Sequence, residues 1–270
     1  MPMSIRHPVF PRLSACLAWT FLASRACIVV AGEMPAFMAV YAEKPPAMDG
    51  DDSIWARATS YPLHTLPVDA PNTGEEGGRF RLAWNEEALY VFMELTDFDA
   101  NSASLEDGEP HYANGDAMEL FLYYEPAGYY WEMHATPHGL QTILFYENAE
   151  DARGIAERAF SAPMADGGAG SEFSAEPPMR IAVSASVDGV FNNALKRDRG
   201  YRIALAVPAD ELTKRGAAWG PGAAWRILIG RYNYTWDRAE PELSASSPLT
   251  SANFHLLDEY VHLVFEKDSQ

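Results

Sequence analysis

A glutamate inside an apolar strand and the tyrosine that precedes it are the first residues that could do chemistry. The stretch HYANGDAMELFLYYE covers residues 111–125, and in it Glu119 stands among apolar and aromatic neighbours while Tyr112 lies in the polar turn before them. A carboxylate accepts hydrogen bonds from hydroxyl groups. An aromatic ring offers a flat apolar face. The combination suits a sugar ring, which has an apolar C–H face and hydroxyl edges.

Further aromatics lie in polar loops. Trp236 is found in YNYTWDRAEPE, and Phe254 follows Asn253 in SPLTSANFHLLDEY. Large rings dominate the buried area of β proteins, so most of the others are predicted to be core. The residues predicted to face inward are Trp55, Trp84, Trp225 and Tyr90.

Two other roles for the strand glutamate stay open. Glu119 and Glu132, the latter in YYWEMH, could face each other across neighbouring strands. Two carboxyl groups about 5–10 Å apart can hydrolyse a glycosidic bond. Alternatively, Glu119 could form an ion pair with Arg79, Arg81 or Arg231 on an adjacent strand.

Acidic residues in the loop LTDFDANSASLEDGEPHYANGD suggest a metal site. Asp97, Asp99 and Asp116 supply oxygen ligands of the kind calcium prefers, without the spacing of an EF-hand. The alternative is an exposed, solvated acidic loop. His134 and His138 do not predict zinc, because that spacing on a strand separates the rings by about 13 Å.

The composition excludes some partners. The chain has 270 residues, 48% of them hydrophobic and 21% charged, which is enough for a large folded core. The formal net charge of -18 would repel nucleic acid and anionic membrane surfaces. After the first thirty residues no stretch approaches the roughly twenty apolar residues of a membrane span.

The N-terminus resembles a secretory signal. Arg6 and Arg12 precede the apolar run LSACLAWTFLASRACIVVA, which predicts a signal segment over residues 1–31 and a secreted or periplasmic protein. The alternatives are a misassigned start codon and a frayed N-terminus. Both cysteines, Cys16 and Cys27, lie in this segment, so the exported chain would contain no disulfide.

Strand signals dominate from residue 37 onward. Short runs of Val, Ile, Tyr, Phe and Trp alternate with Gly, Pro, Asn and Asp clusters. The predicted strands are 37–42, 78–84, 88–97, 116–124, 129–137, 140–147, 179–186, 200–208, 224–234 and 260–266. This spacing predicts an all-β fold, a two-sheet antiparallel β-sandwich of jelly-roll or immunoglobulin-like type, as one domain over residues 37–268. Short connecting helices are predicted at 51–58, 208–216 and 150–160.

The order of several motifs resembles the family 9 carbohydrate-binding modules. These are PAMDGDDSIWARA, RFRLAWNEEALYVFMELTD, NGDAMELFLYY, GYRIALAVPADEL and SANFHLLDEYVHLVF, in collinear order over residues 41–265. The resemblance implies a secreted, non-catalytic module that binds an oligo- or polysaccharide. It also implies association with a glycoside hydrolase in polysaccharide breakdown and structural calcium ions.

The resemblance also assigns binding residues. It places the hydrogen-bonding glutamate at Glu119, one stacking aromatic at His111 or Tyr112, and the other at Phe254. Neither aromatic position holds the tryptophan of the xylanase-linked members, and Glu132 replaces a basic or amide partner. The predicted carbohydrate-binding set is Tyr112, Glu119, Phe254, Asn253, Arg231, Trp236 and His111.

Three alternative functions remain. Related sandwich domains hold b-type haem between Met and His ligands, and both residue types are present here. The candidates are Met93, Met118, Met133, His111, His134 and His255. A glycosidase would use Glu119 and Glu132. A structural module could keep the sandwich and lose its ligand, which the missing tryptophans favour.

Overall fold

Short strands rich in β-branched and aromatic residues form most of the fold. The computed structural model describes residues 35–66, 76–149, 179 and 181–267. Its strands are β1 (Ala36–Tyr41), β2 (Tyr61–Pro62), β3 (His64–Leu66), β4 (Gly78–Trp84), β5 (Ala88–Leu95), β6 (Ala117–Tyr124), β7 (Tyr129–Ala135), β8 (Gln141–Tyr146), β9 (Ala182–Asp188), β10 (Gly200–Pro208), β11 (Trp225–Asn233), β12 (Glu242–Ala245) and β13 (Val261–Phe265). The helices are α1 (Ser53–Arg57) and α2 (Ala209–Thr213), with 3-10 turns at His111–Ala113 and Leu257–Glu259.

Each of the ten predicted strands corresponds to a strand of the structure. The sequence analysis missed β2, β3 and β12, which have two to four residues each and carry little periodicity. The predicted signal segment at 1–31 and the predicted helix at 150–160 lie outside the described residues. In the described part of the chain, no helix is long and apolar enough to cross a membrane.

Strand β1 joins two halves of one continuous sheet. Its residues 36–39 pair with β13 and its residues 40–41 pair with β4, and both pairings are parallel. The order is β8-β7-β6-β11-β13-β1-β4-β5-β10-β9. We call β6, β7, β8, β11, β12 and β13 the site half, and β4, β5, β9 and β10 the opposite half.

The all-β class with short connecting helices is therefore confirmed, as a nearly closed, barrel-like sandwich. Pairing is antiparallel elsewhere in the described sheet but parallel on both sides of β1, which the sequence analysis did not predict. Two separate sheets are not confirmed, because β1 connects them. The jelly-roll or immunoglobulin-like topology stays a prediction.

The main core lies between the two halves. Successive side chains of a strand point to opposite faces, so Met118, Leu120 and Leu122 of β6 enter this core with Leu89 and Val91 of β5. Burial of apolar surface stabilises a fold by about 25 cal/mol per Å². The intervening side chains of β6 face outward from the sandwich.

The outward faces are also covered. Helix α1, capped by the Asp52 side chain on the Ile54 amide, places Trp55 against Phe92 on the opposite half. Residues 246–260, here called the cover segment, lie over the site half. Four buried apolar side chains of the cover segment pack with Phe121 there: Leu249, Phe254, Leu257 and Tyr260.

Candidate functional site

Glu119 meets a histidine across the sheet. The register of β6 and β7 places Glu119 opposite His134, and Phe121 opposite Glu132. His134 Nε2 lies 3.1 Å from Glu119 Oε1 and 2.6 Å from Glu132 Oε1. Glu119 is 2% exposed, Glu132 3% and His134 0%. These three residues, here the Glu–His–Glu cluster, bring two carboxylates to one buried imidazole nitrogen.

Hydroxyl and imidazole groups surround the carboxylate of Glu132. The Tyr146 hydroxyl donates to Glu132 Oε2 at 2.7 Å. His255 Nε2 lies 3.8 Å from the same oxygen, and His255 Nδ1 lies 3.0 Å from the Tyr130 hydroxyl. The rings of Tyr130 and Tyr146 stack with their centroids 4.2 Å apart. These contacts fix the orientation of Glu132.

Burial acts to raise the pKa of both glutamates, but hydrogen bonds and neighbouring charges give the two residues very different pKa values. Burial raises the pKa of Glu119 to about 8; the charge of His134 opposes the shift and that of Glu132 adds to it. Burial also acts to raise the pKa of Glu132, but hydrogen bonds and charges from His134, His255 and Tyr146 outweigh it and hold that pKa at about 2. Burial acts to lower the pKa of His134, and the two carboxylates outweigh it and raise that pKa.

The raised pKa of Glu119 predicts a pH-dependent stability. Folded protein holds the Glu119 proton up to a pH of about 8, whereas an unfolded glutamate releases it near its ordinary value of 4.5. Between these values the folded state binds more protons, so the free energy of unfolding should fall as the pH rises. In chelator-treated protein, Glu119→Gln should flatten this fall, as measured by urea denaturation from pH 4.5 to pH 8.

The matched control for this prediction is Glu94→Gln, at the partly exposed Arg81–Glu94 pair of the opposite half. That variant should keep the slope of the original protein. Equal slopes for Glu119→Gln and the original protein would contradict the assigned protonation of Glu119.

A row of aromatic rings lies over the same face. The Tyr112 ring is 5.8 Å from that of His134 and 5.7 Å from that of Tyr232, and the Tyr232 ring is 5.4 Å from that of Phe254. We call Tyr112, Tyr232 and Phe254 the aromatic row. Tyr112 and Tyr232 are half-buried, whereas Phe254 is only 3% exposed. Two loop aromatics predicted from the sequence therefore converge on one strand tyrosine, which the sequence analysis did not single out.

A strand glycine makes room for the buried ring. Gly230 pairs with Glu119 across β6 and β11. A Cβ atom at Gly230 would lie 2.7 Å from the Phe254 ring, closer than a carbon contact allows. The absence of a side chain at Gly230 is therefore what lets Phe254 lie directly on the strand beside Glu119.

The arginines proposed as partners of Glu119 have other partners. Arg231 points to the opposite face of β11, where its Nη2 lies 2.8 Å from Asp97 Oδ2 and its guanidinium lies near the Tyr201 ring. Arg81 pairs with Glu94, and Arg79 donates to Ser60. The suggested ion pair of Glu119 with an arginine is thus wrong, and the partner is His134.

Three other residues predicted to bind carbohydrate are not part of the Glu–His–Glu cluster. His111 is fully buried, with its Nδ1 2.8 Å from the Ser104 hydroxyl and its ring 6.3 Å from that of His134. Asn253 is half-buried and accepts a hydrogen bond from the His255 amide within the cover segment. Trp236 is 55% exposed, and its amide donates to Asp99 rather than to a residue of the cluster.

The acids proposed as calcium ligands divide into two environments. Asp116 accepts from the amides of Asn101 and Tyr234 and does not join the others. Asp97 and Asp99 instead lie with Glu76, with one ligand oxygen of each within 4.8 Å of the other two. We call Glu76, Asp97 and Asp99 the acidic group. Asp116 is not part of this group among the described residues, although burial and the nearby charge of Asp97 both raise the pKa of Asp116.

The acidic group fits calcium poorly. Glu76 accepts from the Phe98 amide and the Asn233 side chain, and Asp97 accepts from Arg231 and the Asp99 amide. Asp99 Oδ1 is the one buried oxygen of the acidic group without a hydrogen-bond partner among the described residues. Calcium takes six to eight oxygen ligands, and Arg231 already compensates the charge of Asp97. Calcium binding stays a prediction.

The residues named for haem binding point to different faces. Met93, Met118 and Met133 are buried in the core between the halves, whereas His134 and His255 lie on the outer face. These three methionines and the histidines His134 and His255 therefore lie on different faces of the sheet. A glycosidase is not favoured either, because both carboxyl groups are buried and a histidine nitrogen lies between them.

Solved family 9 carbohydrate-binding modules share the fold of this chain. Residues 48–148 match the model of the family described as Carbohydrate family 9 binding domain-like, which confirms the resemblance found in the motifs. A family 9 module from Caldicellulosiruptor kristjanssonii in complex with cellotriose superposes with a TM-score of 0.54 at 16% identity, over 86% of this chain and 95% of that one.

Two further solved structures share the fold. The glucose complex of a family 9 module from the same organism gives a TM-score of 0.53 at 15% identity, over 87% of this chain and 98% of that chain. A Bacteroides uniformis protein, provisionally assigned as carbohydrate-binding, gives 0.61 at 10% identity, over 87% of this chain and all of its own. A search of curated proteins finds no match.

Proposed function

We propose that this protein binds an oligo- or polysaccharide on the outer face of the site half, without catalysing a reaction on it. The observation that carries the proposal is the aromatic row lying over buried hydrogen-bonding groups on one face. Tyr112 is the accessible end of that row, and the Glu–His–Glu cluster lies beneath it. A sugar would stack on the Tyr112 ring and present hydroxyl edges to Glu119 and His134.

The fold supports this assignment. The two Caldicellulosiruptor kristjanssonii modules with the same fold are complexes with cellotriose and with glucose. By analogy we propose a β-linked glucan or a related plant polysaccharide as the ligand class for this chain. Secretion to the periplasm or the cell exterior and service to a glycoside hydrolase in polysaccharide breakdown complete the proposal.

Binding at Glu119 requires the cover segment to move. Phe254 occupies the space over Gly230 beside the glutamate, and its carbonyl accepts a hydrogen bond from Tyr260. Glu259 holds the other end of the cover segment through the amide and hydroxyl of Thr250. We propose that the sugar first stacks on Tyr112 and that Phe254 then withdraws or turns its ring toward the ligand.

Affinity electrophoresis with Tyr112→Ala tests this proposal. In gels that contain soluble cellulose derivatives, xylan or mixed-linkage glucan, the original protein should be retarded by one of the polymers. Tyr112→Ala should weaken that retardation about tenfold or more, because loss of a central aromatic contact costs roughly 1.4 kcal/mol or more.

The matched control is Trp236→Ala, which removes an exposed aromatic outside the aromatic row. It should leave the retardation unchanged. If Trp236→Ala abolishes binding and Tyr112→Ala does not, the sugar site lies beside the acidic group, and the proposed face is wrong. Failure of every tested polymer to retard the original protein would remove the binding function itself.

A further inference from the structure

The Glu–His–Glu cluster has the composition and size of a metal site. Its ligand atoms, one from each side chain, lie within 4.8 Å of one another. In tetrahedral zinc sites the ligand-to-metal distances are about 2.0–2.2 Å, so neighbouring ligand atoms are about 3.3–3.6 Å apart. His134 Nε2 is 3.1 Å from Glu119 Oε1 and 2.6 Å from Glu132 Oε1. Outward shifts of less than about 1 Å would bring these two separations to the zinc spacing.

The cluster is incompletely satisfied without a further cation. A neutral histidine carries one ring proton. A single proton on His134 Nε2 cannot form good hydrogen bonds to two carboxylates at once. The hydrogen bond goes to Glu132. Among the described residues Glu119 has only its ion pair with His134, although it is 2% exposed. A buried carboxylate that shares one imidazole nitrogen with a second carboxylate is costly unless it stays protonated or meets a further cation, and one oxygen of Glu119 lies within 4.8 Å of the other two ligand atoms.

Charge also favours a divalent ion. Two carboxylates and a neutral imidazole carry a charge of -2, which one divalent cation cancels. Without a metal ion, two additional protons would have to bind to these three side chains to make the cluster neutral. One outer contact typical of metal sites is present, since the Tyr146 hydroxyl orients the Glu132 carboxylate. His134 Nδ1 has no hydrogen-bond partner among the described residues.

We propose that Glu119, Glu132 and His134 bind one divalent transition metal ion, with zinc as the preferred ion. The imidazole nitrogen selects against calcium and magnesium, which prefer oxygen ligands alone. Three protein ligands match the low coordination number of zinc. This site differs from the acidic group, and it does not depend on whether the protein binds sugar.

Metal retention by the full chain, after removal of any affinity tag, tests the proposal. Protein treated with chelator, loaded with zinc and desalted should retain about one zinc per chain by atomic emission. Cobalt loading should give visible absorption bands of a low-coordinate site. Glu119→Gln, which keeps the shape of the side chain, should lower zinc affinity by about a factor of 100 or more and abolish the cobalt bands.

Two controls make the outcome decisive. Glu76→Gln changes the acidic group and should leave zinc retention intact. Circular dichroism shows whether Glu119→Gln still folds. Zinc should raise the melting temperature of the original protein but not that of Glu119→Gln, which separates a loss of binding from a loss of folding. The proposal is overturned if the original protein retains neither zinc nor cobalt. It is equally overturned if Glu76→Gln releases the metal and Glu119→Gln does not.

Discussion

Replacing Phe254 with alanine should destabilise the protein by about 3–5 kcal/mol. The ring is 3% exposed and packs on Gly230, Phe121 and Tyr232, so its removal leaves a cavity under the cover segment. The free energy of unfolding, obtained by urea denaturation, measures the loss. The sequence analysis placed Phe254 as an accessible stacking residue, for which truncation would leave stability nearly unchanged.

Trp236→Ala is the matched control for this prediction, since it removes a larger ring that is 55% exposed. It should change stability by less than about 0.5 kcal/mol. A similarly small effect of Phe254→Ala would show that the ring is not buried in solution. In that case the cover segment would be open before any ligand arrives.

Removing the Arg231 side chain should lower the free energy of unfolding by about as much as Phe254→Ala does. Arg231→Ala leaves Asp97 buried at 0% exposure without its cation, and breaking a buried ion pair in this way costs about 3–5 kcal/mol. The double variant Asp97→Ala with Arg231→Ala should be less destabilised than the sum of the two single variants, because it leaves no unpaired charge.

Arg81→Ala provides the comparison, since its partner Glu94 has 41% of its side chain exposed. Exposed pairs contribute at most about 1 kcal/mol. Additive effects of Asp97→Ala and Arg231→Ala would contradict the ion pair. The sequence analysis placed Arg231 among the sugar ligands, whereas the side chain is 1% exposed and paired with Asp97.

The strands and their faces could largely be predicted from the sequence. Alternation in β6 assigns Met118 and Leu120 to one face and Glu119 to the other, because strand side chains repeat every two residues. Trp84 and Trp225 are buried as predicted, at 2% and 1% exposure. Hydrophobic pattern therefore sufficed to place Glu119 on a face separate from the main core.

The partners of Glu119 could not be predicted, because they depend on strand register. A shift of one residue would move His134 to the other face, and no local pattern specifies which residue lies opposite Glu119. The same limit applies to Arg231, whose face follows from alternation but whose partner Asp97 lies far away in sequence. One available signal was overlooked, since a glycine inside a strand, here Gly230, often marks a close approach of another group.

The outer face of the site half combines acidic, imidazole and aromatic side chains in one place, which the sequence alone did not indicate. One imidazole stands between two carboxylates under a row of aromatic rings. Such a face can offer hydroxyl-binding groups to a sugar or ligands to a metal ion, and Phe254 of the cover segment packs on Gly230 beside Glu119. The two roles are compatible, because an ion beneath the aromatic row would fix the position of Glu119.

A crystal structure of the protein with the oligosaccharide that binds it best would show whether the sugar lies on the aromatic row. We predict a sugar ring stacked on Tyr112, with a hydroxyl group within hydrogen-bond distance of Glu119 and Phe254 displaced from its position over Gly230. An ordered sugar beside Trp236 and the acidic group, with Phe254 still packed on Gly230, would show that the aromatic row is not the sugar-binding site.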